Sequence, residues 1–232
     1  NKETEKVINL RKFFEVNRLG LLFANNSLNV LWRRISESEK SNYSTMAWAQ
    51  KAKLEARSHQ TSPININNLS DNIPLFREMT RERIEVFHNS LVDNLAKSGI
   101  SLILLPHLEG SYLHGATFYD KNKIIVALSN REKDSDRFWF SFFHEIGHIV
   151  LGHVNENYSE KMEIDADRFA QDTLIPSDKY KDFISLKNFT EQRIIDFANE
   201  IGVDRGIIVG RLQKDGLLSF KSLNHLKTKY IF

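Results

Sequence analysis

Cysteine is absent from the 232 residues. Disulfides and thiolate metal sites are therefore excluded, and the absence fits a reducing compartment. No apolar run reaches the ~18 residues that a bilayer span needs. The opening NKETEKVINL lacks an apolar signal core, so no membrane association is expected. There is no internal repeat and no low-complexity tract. Net charge is also small: 32 Lys and Arg against 30 Asp and Glu give +2, which excludes polyanion binding by bulk charge. The chain begins on Asn rather than Met, and it is expected to be a piece of a longer protein.

What is present is the composition of an ordinary globular protein, 41% apolar and 27% charged. The charges are unevenly distributed. Residues 131–178 carry five basic and eleven acidic side chains, whereas residues 205–232 carry six basic ones against the single acid Asp215. The middle is suited to hold a cation, and the basic end is either solvated or in contact with something acidic.

Apolar periodicity predicts helices over residues 5–60, with Leu10, Phe13, Phe14 and Leu21, then Met46, Ala49 and Leu54, at helical spacing and a loop at Ser36–Ser44. The Ser-, Asn- and Pro-rich stretch Ser58–Asn72 reads as a linker. This divides the chain into a helical N-terminal region, 1–60, and a second domain, 73–232. Within the second, Thr80–Lys97 is an amphipathic helix stopped by Gly99, and ISLILLP, 100–106, is a buried strand. GATFY and IIVAL form a hairpin around Asp120–Lys123. A long apolar helix follows from Asp134 or Ser135 through Val150, ended by Gly152. Further helices are predicted over Met162–Leu174, Thr190–Ile201 and Arg205–Lys214. Helices, a small antiparallel or mixed sheet and more helices make an α+β fold, mainly helical.

The chemistry lies in FFHEIGHIVLGH, 142–153. His144 and His148, four apart on a helix, present their imidazoles on one face, where they can share a divalent metal at about 2.0–2.1 Å. Glu145 is offset by ~100° and is suited to act as general base rather than ligand. A third ligand is still needed. His153 is out of register with the extended form of this motif, since Leu151 and Val154 stand where that form has Gly and His. It is expected to point away and to favour the helix dipole. Glu163 in the next helix is the better third ligand. Asp167, four residues on, is suited to accept the second N–H of a ligand imidazole. Asp165 falls on another side. Zn²⁺ is the expected metal, with Mn²⁺ as the alternative, and the reaction is peptide hydrolysis, in which Glu145 takes a proton from water and delivers it to the leaving amine. The hairpin can offer an edge to an extended peptide. Tyr112, His114 and Tyr158 are the candidate oxyanion or substrate contacts, and the sequence does not choose among them.

With HEIGH followed by EIDADRFA and LIP, the chain resembles the ImmA/IrrE family of gluzincin-like metallopeptidases. LRKFFEV, FWFSFFHEIGHI, DADRFAQDTLIP, GIIVGRLQ and LNHLK extend the resemblance over residues ~7–232. They are similar to a longer subgroup in which this region follows an XRE-type helix-turn-helix, in HigA-like antitoxins or regulators. The resemblance implies a cytoplasmic enzyme that cleaves an XRE-type repressor or antitoxin, in a stress, mobile-element or toxin–antitoxin circuit. His144, His148 and Glu163 match the family's metal positions and Glu145 its catalytic glutamate. The spacing from His148 to Glu163 is short for the family, and Asp165 replaces its usual Glu before the Ala. DNA contact is expected only through an upstream helix-turn-helix outside this sequence.

A competing reading comes from FANEIGVDRGIIVGRL. Ala198, Gly202 and Ile208 have helix-turn-helix spacing, and Arg205, Arg211 and Lys214 are suited to phosphates. It makes the chain a DNA-binding regulator with a structural or vestigial metal site. Gly206 and Gly210 argue against a recognition helix there.

Overall fold

The computed structural model describes residues 2–24, 39–111, 113–131, 133–156 and 159–230. Its three strands are β1 (Ile100–Leu105), β2 (Gly115–Asp120) and β3 (Lys123–Ser129), in the order β1-β3-β2. β1 runs parallel to β3, and β2 and β3 form the antiparallel hairpin, so the sheet is mixed.

Strand alternation explains why ISLILL reads as an apolar run interrupted only by Ser101. Ile100 and Leu102, with Ile124, Val126 and Leu128, enter the main core on one face. Ile103, Leu105, Ala116, Phe118, Ile125 and Ala127 face the other way, against Trp48, Ala49, Ala52 and Ala56 of helix α3 (Glu39–Ala56). A sheet covered on both sides needs apolar residues at successive positions. The fold is therefore α+β in three layers, with α3 on one face of the sheet and the helices of the main core on the other. α1 (Lys2–Phe14) and α2 (Leu21–Ala24) precede α3.

Helix α3 begins at Glu39, so the loop expected at Ser36–Ser44 is helical from residue 39; residues 36–38 lie outside the described residues. The stretch 58–72 does not behave as a linker. It includes α4 (Ile66–Asp71), whose Leu69 is fully buried, capped by Asn65 accepting from the Asn68 amide. Ser62 and Asn65 donate their amides to the Ala96 and Ser98 carbonyls. Gly99, at φ +81°, admits this packing, because a Cβ there would lie 2.5 Å from the Ile64 Cα. The Asn and Ser side chains of the stretch cap and anchor rather than solvate.

Three helices and a 3₁₀ turn lead to the sheet: α4, then α5 (Ile73–Glu78), which starts with a proline in its first turn, the turn Met79–Arg81, and α6 (Ile84–Lys97). The predicted helix over 80–97 starts four residues late, since Arg83 is extended. Arg77 of α5 donates to the carbonyls of Thr173, Leu174 and Ile201, closing the C-terminal ends of two later helices.

The long predicted helix is α7 (Ser135–Val150). After it come α8 (Glu160–Leu174), α9 (Ser177–Ser185), α10 (Glu191–Ile201) and α11 (Arg205–Lys214). α7 is the centre of the core. Trp139, Phe142, Phe143 and Ile146 are fully buried, and the Trp139 indole donates to the Tyr230 hydroxyl at 2.8 Å. α11 lies against α7 with Gly206, Ile207, Ile208, Val209 and Leu212 buried. A Cβ at Gly210 would sit 2.1 Å from the Asp136 carboxylate, so the glycines that weaken a recognition helix are what let α11 approach α7. No described helix is long and apolar enough to cross a membrane.

Candidate metal centre

α7 and α8 pack closely because of one small residue in the motif. A Cβ on Gly147 would lie 3.0–3.2 Å from Phe169, so glycine at this position lets α8 come down onto α7. α8 starts where Ser159 accepts a hydrogen bond from the Met162 amide, which sets Glu163 and Asp167 one turn apart toward α7.

The result is a convergence of three donors. His144 Nε2 and His148 Nε2 are 3.1 Å apart. Glu163 Oε2 is 3.3 Å from the first, and Oε1 is 3.7 Å from the second. Among the described residues, His144, His148 and Glu163 form the one group able to hold a metal ion, their ligand atoms all within 4.8 Å of one another. A tetrahedral site with bonds of about 2.0–2.1 Å has edges of roughly 3.3–3.4 Å between ligand atoms. The three separations bracket that value, and the donor set of two imidazoles and a carboxylate suits a divalent ion of borderline softness.

Behind the ligands, each imidazole has support on its second nitrogen. Asp167 Oδ1 lies 2.8 Å from His144 Nδ1, the arrangement expected from the sequence. The His144 hydrogen bond, with help from Lys214, holds the Asp167 carboxyl well below its ordinary value, at about 2, so it is ionised at neutral pH. Lys214 Nζ, from the end of α11, is 3.2 Å from Asp167 Oδ2. That contact was not legible in the sequence.

His153 corrects an expectation. It does not point away from His148 at the end of α7. Gly152, at φ +78°, turns the chain into the 3₁₀ turn His153–Asn155, so the register of α7 no longer applies. His153 is buried and its Nδ1 lies 3.0 Å from His148 Nδ1. It remains outside the ligand set, as expected, but on the far side of a ligand.

Glu145 is 3% exposed, and its carboxylate meets the sheet. Thr117 donates its hydroxyl to Glu145 Oε2 at 2.5 Å. Gly115 leaves room for the same carboxylate, since a Cβ there would meet Oε1 at 2.8 Å. Both belong to the α7-facing side of β2, an edge strand with no further strand beside it among the described residues. Neither was singled out in the sequence, although alternation along GATFY puts both on one face. His114 is exposed immediately before β2 and lines a small surface hollow with Ser129, Arg137 and Ser141. Tyr112 and Tyr158 lie outside the described residues. Asp165 is half-buried, on a different side of α8 from Glu163.

The cations of the competing DNA-binding reading are engaged within the fold. Arg205 donates to the Leu226 carbonyl, Arg211 pairs with Asp215, and Lys214 holds Asp167.

No curated protein matches the chain. The family model Peptidase_M78, described as the IrrE N-terminal-like domain, matches residues 96–213, just over half of the chain and the span from the end of α6 to the end of α11. The matched span contains all three metal-capable residues, Glu145, and the supporting Asp167 and His153, and the chain belongs to this metallopeptidase family.

Proposed function

We propose that this protein is a Zn²⁺-dependent endopeptidase that cuts a partner protein, an XRE-type repressor or antitoxin, in a cytoplasmic stress, mobile-element or toxin–antitoxin circuit. The observation that carries the catalytic part is the convergence of His144, His148 and Glu163 beside a buried glutamate that contacts an edge strand. The repressor substrate rests on the resemblance to the longer, XRE-associated subgroup.

His144, His148 and Glu163 would hold the divalent ion, which when bound would supply Lewis acidity at the scissile carbonyl and lower the pKa of a bound water. The chain's own residues do the rest. Glu145, beside His144 in sequence, accepts the water proton and returns it to the leaving nitrogen. Thr117 fixes one carboxylate oxygen, Oε2, by donating its hydroxyl to it. The outer edge of β2 can pair with an extended substrate backbone, bringing a peptide past Glu145. Asp167 keeps the His144 Nε2 lone pair directed at the ligand centre by accepting from Nδ1.

The test is digestion of a purified XRE-type repressor with Zn²⁺, with and without chelator. The native chain clips it, chelator stops the reaction, and Glu145→Gln binds Zn²⁺ normally while losing at least about 10²-fold in rate. Full activity in Glu145→Gln removes the assignment of the base. Salt-sensitive DNA binding with no cleavage of any such repressor favours the regulator reading instead.

A further inference from the structure

His148 is the most enclosed member of the ligand set, fully buried in α7. Its Nε2 faces His144 and Glu163, so its Nδ1 must be satisfied from behind. Zinc-binding histidines usually donate that second N–H to a carboxylate, a carbonyl or water. His144 follows this pattern with Asp167. His148 instead meets another imidazole, His153 Nδ1, at 3.0 Å, with ring centroids 5.1 Å apart and planes inclined by 65°.

Proton accounting decides the roles in this pair. If His148 Nε2 offers its lone pair to an ion, Nδ1 carries the hydrogen. That hydrogen must be accepted by His153 Nδ1, which therefore carries none. In this arrangement the His153 proton sits on Nε2. The alternative tautomer of His153 places two N–H groups head to head at 3.0 Å, in a buried location.

We propose that His153 is a positioning residue that locks His148 in the Nδ1–H tautomer and aims its Nε2 at the metal centre. The proposal rests on the metal site argued above. It also gives the two ligand histidines different supports. Asp167 brings a negative charge to the back of His144, whereas His153 brings none to the back of His148. A second carboxylate would neutralise more of the ion's charge, and a neutral acceptor orients the ring without that loss. The Gly152 turn is what makes the arrangement possible, because it carries His153 back beside His148 immediately after α7 ends.

Two measurements test this. In Zn²⁺-loaded protein labelled with ¹⁵N, long-range ¹H–¹⁵N correlation spectra report which ring nitrogen is protonated. The expected pattern is His148 protonated at Nδ1 and His153 protonated at Nε2 only. A proton on His153 Nδ1 overturns the proposal, and this readout on the native chain does not depend on any variant folding. Zn²⁺ affinity by chelator competition is the second readout. His153→Phe keeps a ring but removes the acceptor, and should bind Zn²⁺ about 10–100-fold more weakly. His153→Asn places an amide oxygen near the Nδ1 position and should stay within about threefold of the native chain. Equal affinity in the native chain and a folded His153→Phe overturns the proposal and leaves the metal site standing. A native chain that takes up no Zn²⁺ overturns the site and the proposal together.

Discussion

Lys227→Met tests how the C-terminal segment secures the helix that carries the ligands. Lys227 Nζ lies 2.8 Å from Asp136 Oδ2, with side chains only 5% and 4% exposed. Asp136 is in the first turn of α7, two turns before His144. Burial pushes its carboxyl above the ordinary range, and Lys227 draws it back. Methionine retains much of the lysine stem and removes the charge, leaving a buried carboxylate. Breaking such a pair costs about 3–5 kcal/mol. The N-terminal dipole of α7 offsets roughly 0.3–1 kcal/mol, so a loss of about 3 kcal/mol is expected at pH 7. With a urea slope of about 2–3 kcal/mol/M, the unfolding midpoint should fall by about 1 M. The loss must also depend on pH. In the variant, Asp136 has a folded pKa above its unfolded value of about 3.8, so the folded state binds the proton more readily. The deficit is therefore full above the folded pKa, shrinks as pH falls through it, and is gone below the unfolded value. Asp136→Asn combined with Lys227→Met should recover most of the stability at pH 7, within about 1–2 kcal/mol of the native chain. Urea titrations at pH 7 and pH 5 decide it. A single variant within about 1 kcal/mol of native at pH 7, or a deficit that grows on acidification, refutes the reasoning.

Gly147→Ala should press its methyl into Phe169 and part α7 from α8, costing about 1–3 kcal/mol by thermal unfolding. Because Glu163 rides on α8, the same variant should bind Zn²⁺ more weakly, and unchanged affinity would show that helix spacing does not set the ligand geometry. Glu163→Gln keeps the side-chain shape but removes the anionic ligand. Its Zn²⁺ affinity by chelator competition should drop by about 100-fold or more, and native-like binding would remove Glu163 from the site.

The parts legible in the sequence are those governed by local periodicity. HEIGH on an apolar helix needs nothing beyond a 3.6-residue repeat to bring His144 and His148 together. The four-residue spacing of Glu163 and Asp167 does the same on α8. What was not legible depends on chain reversal or on contacts far apart in the chain. Extending the register of α7 past Gly152 misplaces His153, because the backbone has already left the helix there. Thr117 meets Glu145 across 28 residues, and Lys214 meets Asp167 across 47. Composition is misleading at 58–72. Asn and Ser are common in solvated linkers, but here Asn65, Asn68 and Asn72 bond to the backbone or to Ser98 around a helix that buries Leu69.

The charge asymmetry of the sequence acquires a physical meaning from the same contacts. An acid-rich middle and a basic end suggest two separate outside partners, a cation and something acidic. Lys214 and Lys227 from the basic end instead meet Asp167 and Asp136 of the acid-rich segment. These are the anions that flank the ligand set: one supports His144 from behind, and the other lies at the start of the helix that carries both histidines. A buried or half-buried carboxylate keeps its charge only if that charge is balanced, since desolvation raises the free energy of both Asp167 and Asp136 and Asp134 adds repulsion at Asp136. α11 and the segment after it supply that balance and are buried against α7 in doing so. Removing the two lysines should therefore weaken the metal centre through Asp167 and loosen α7 through Asp136.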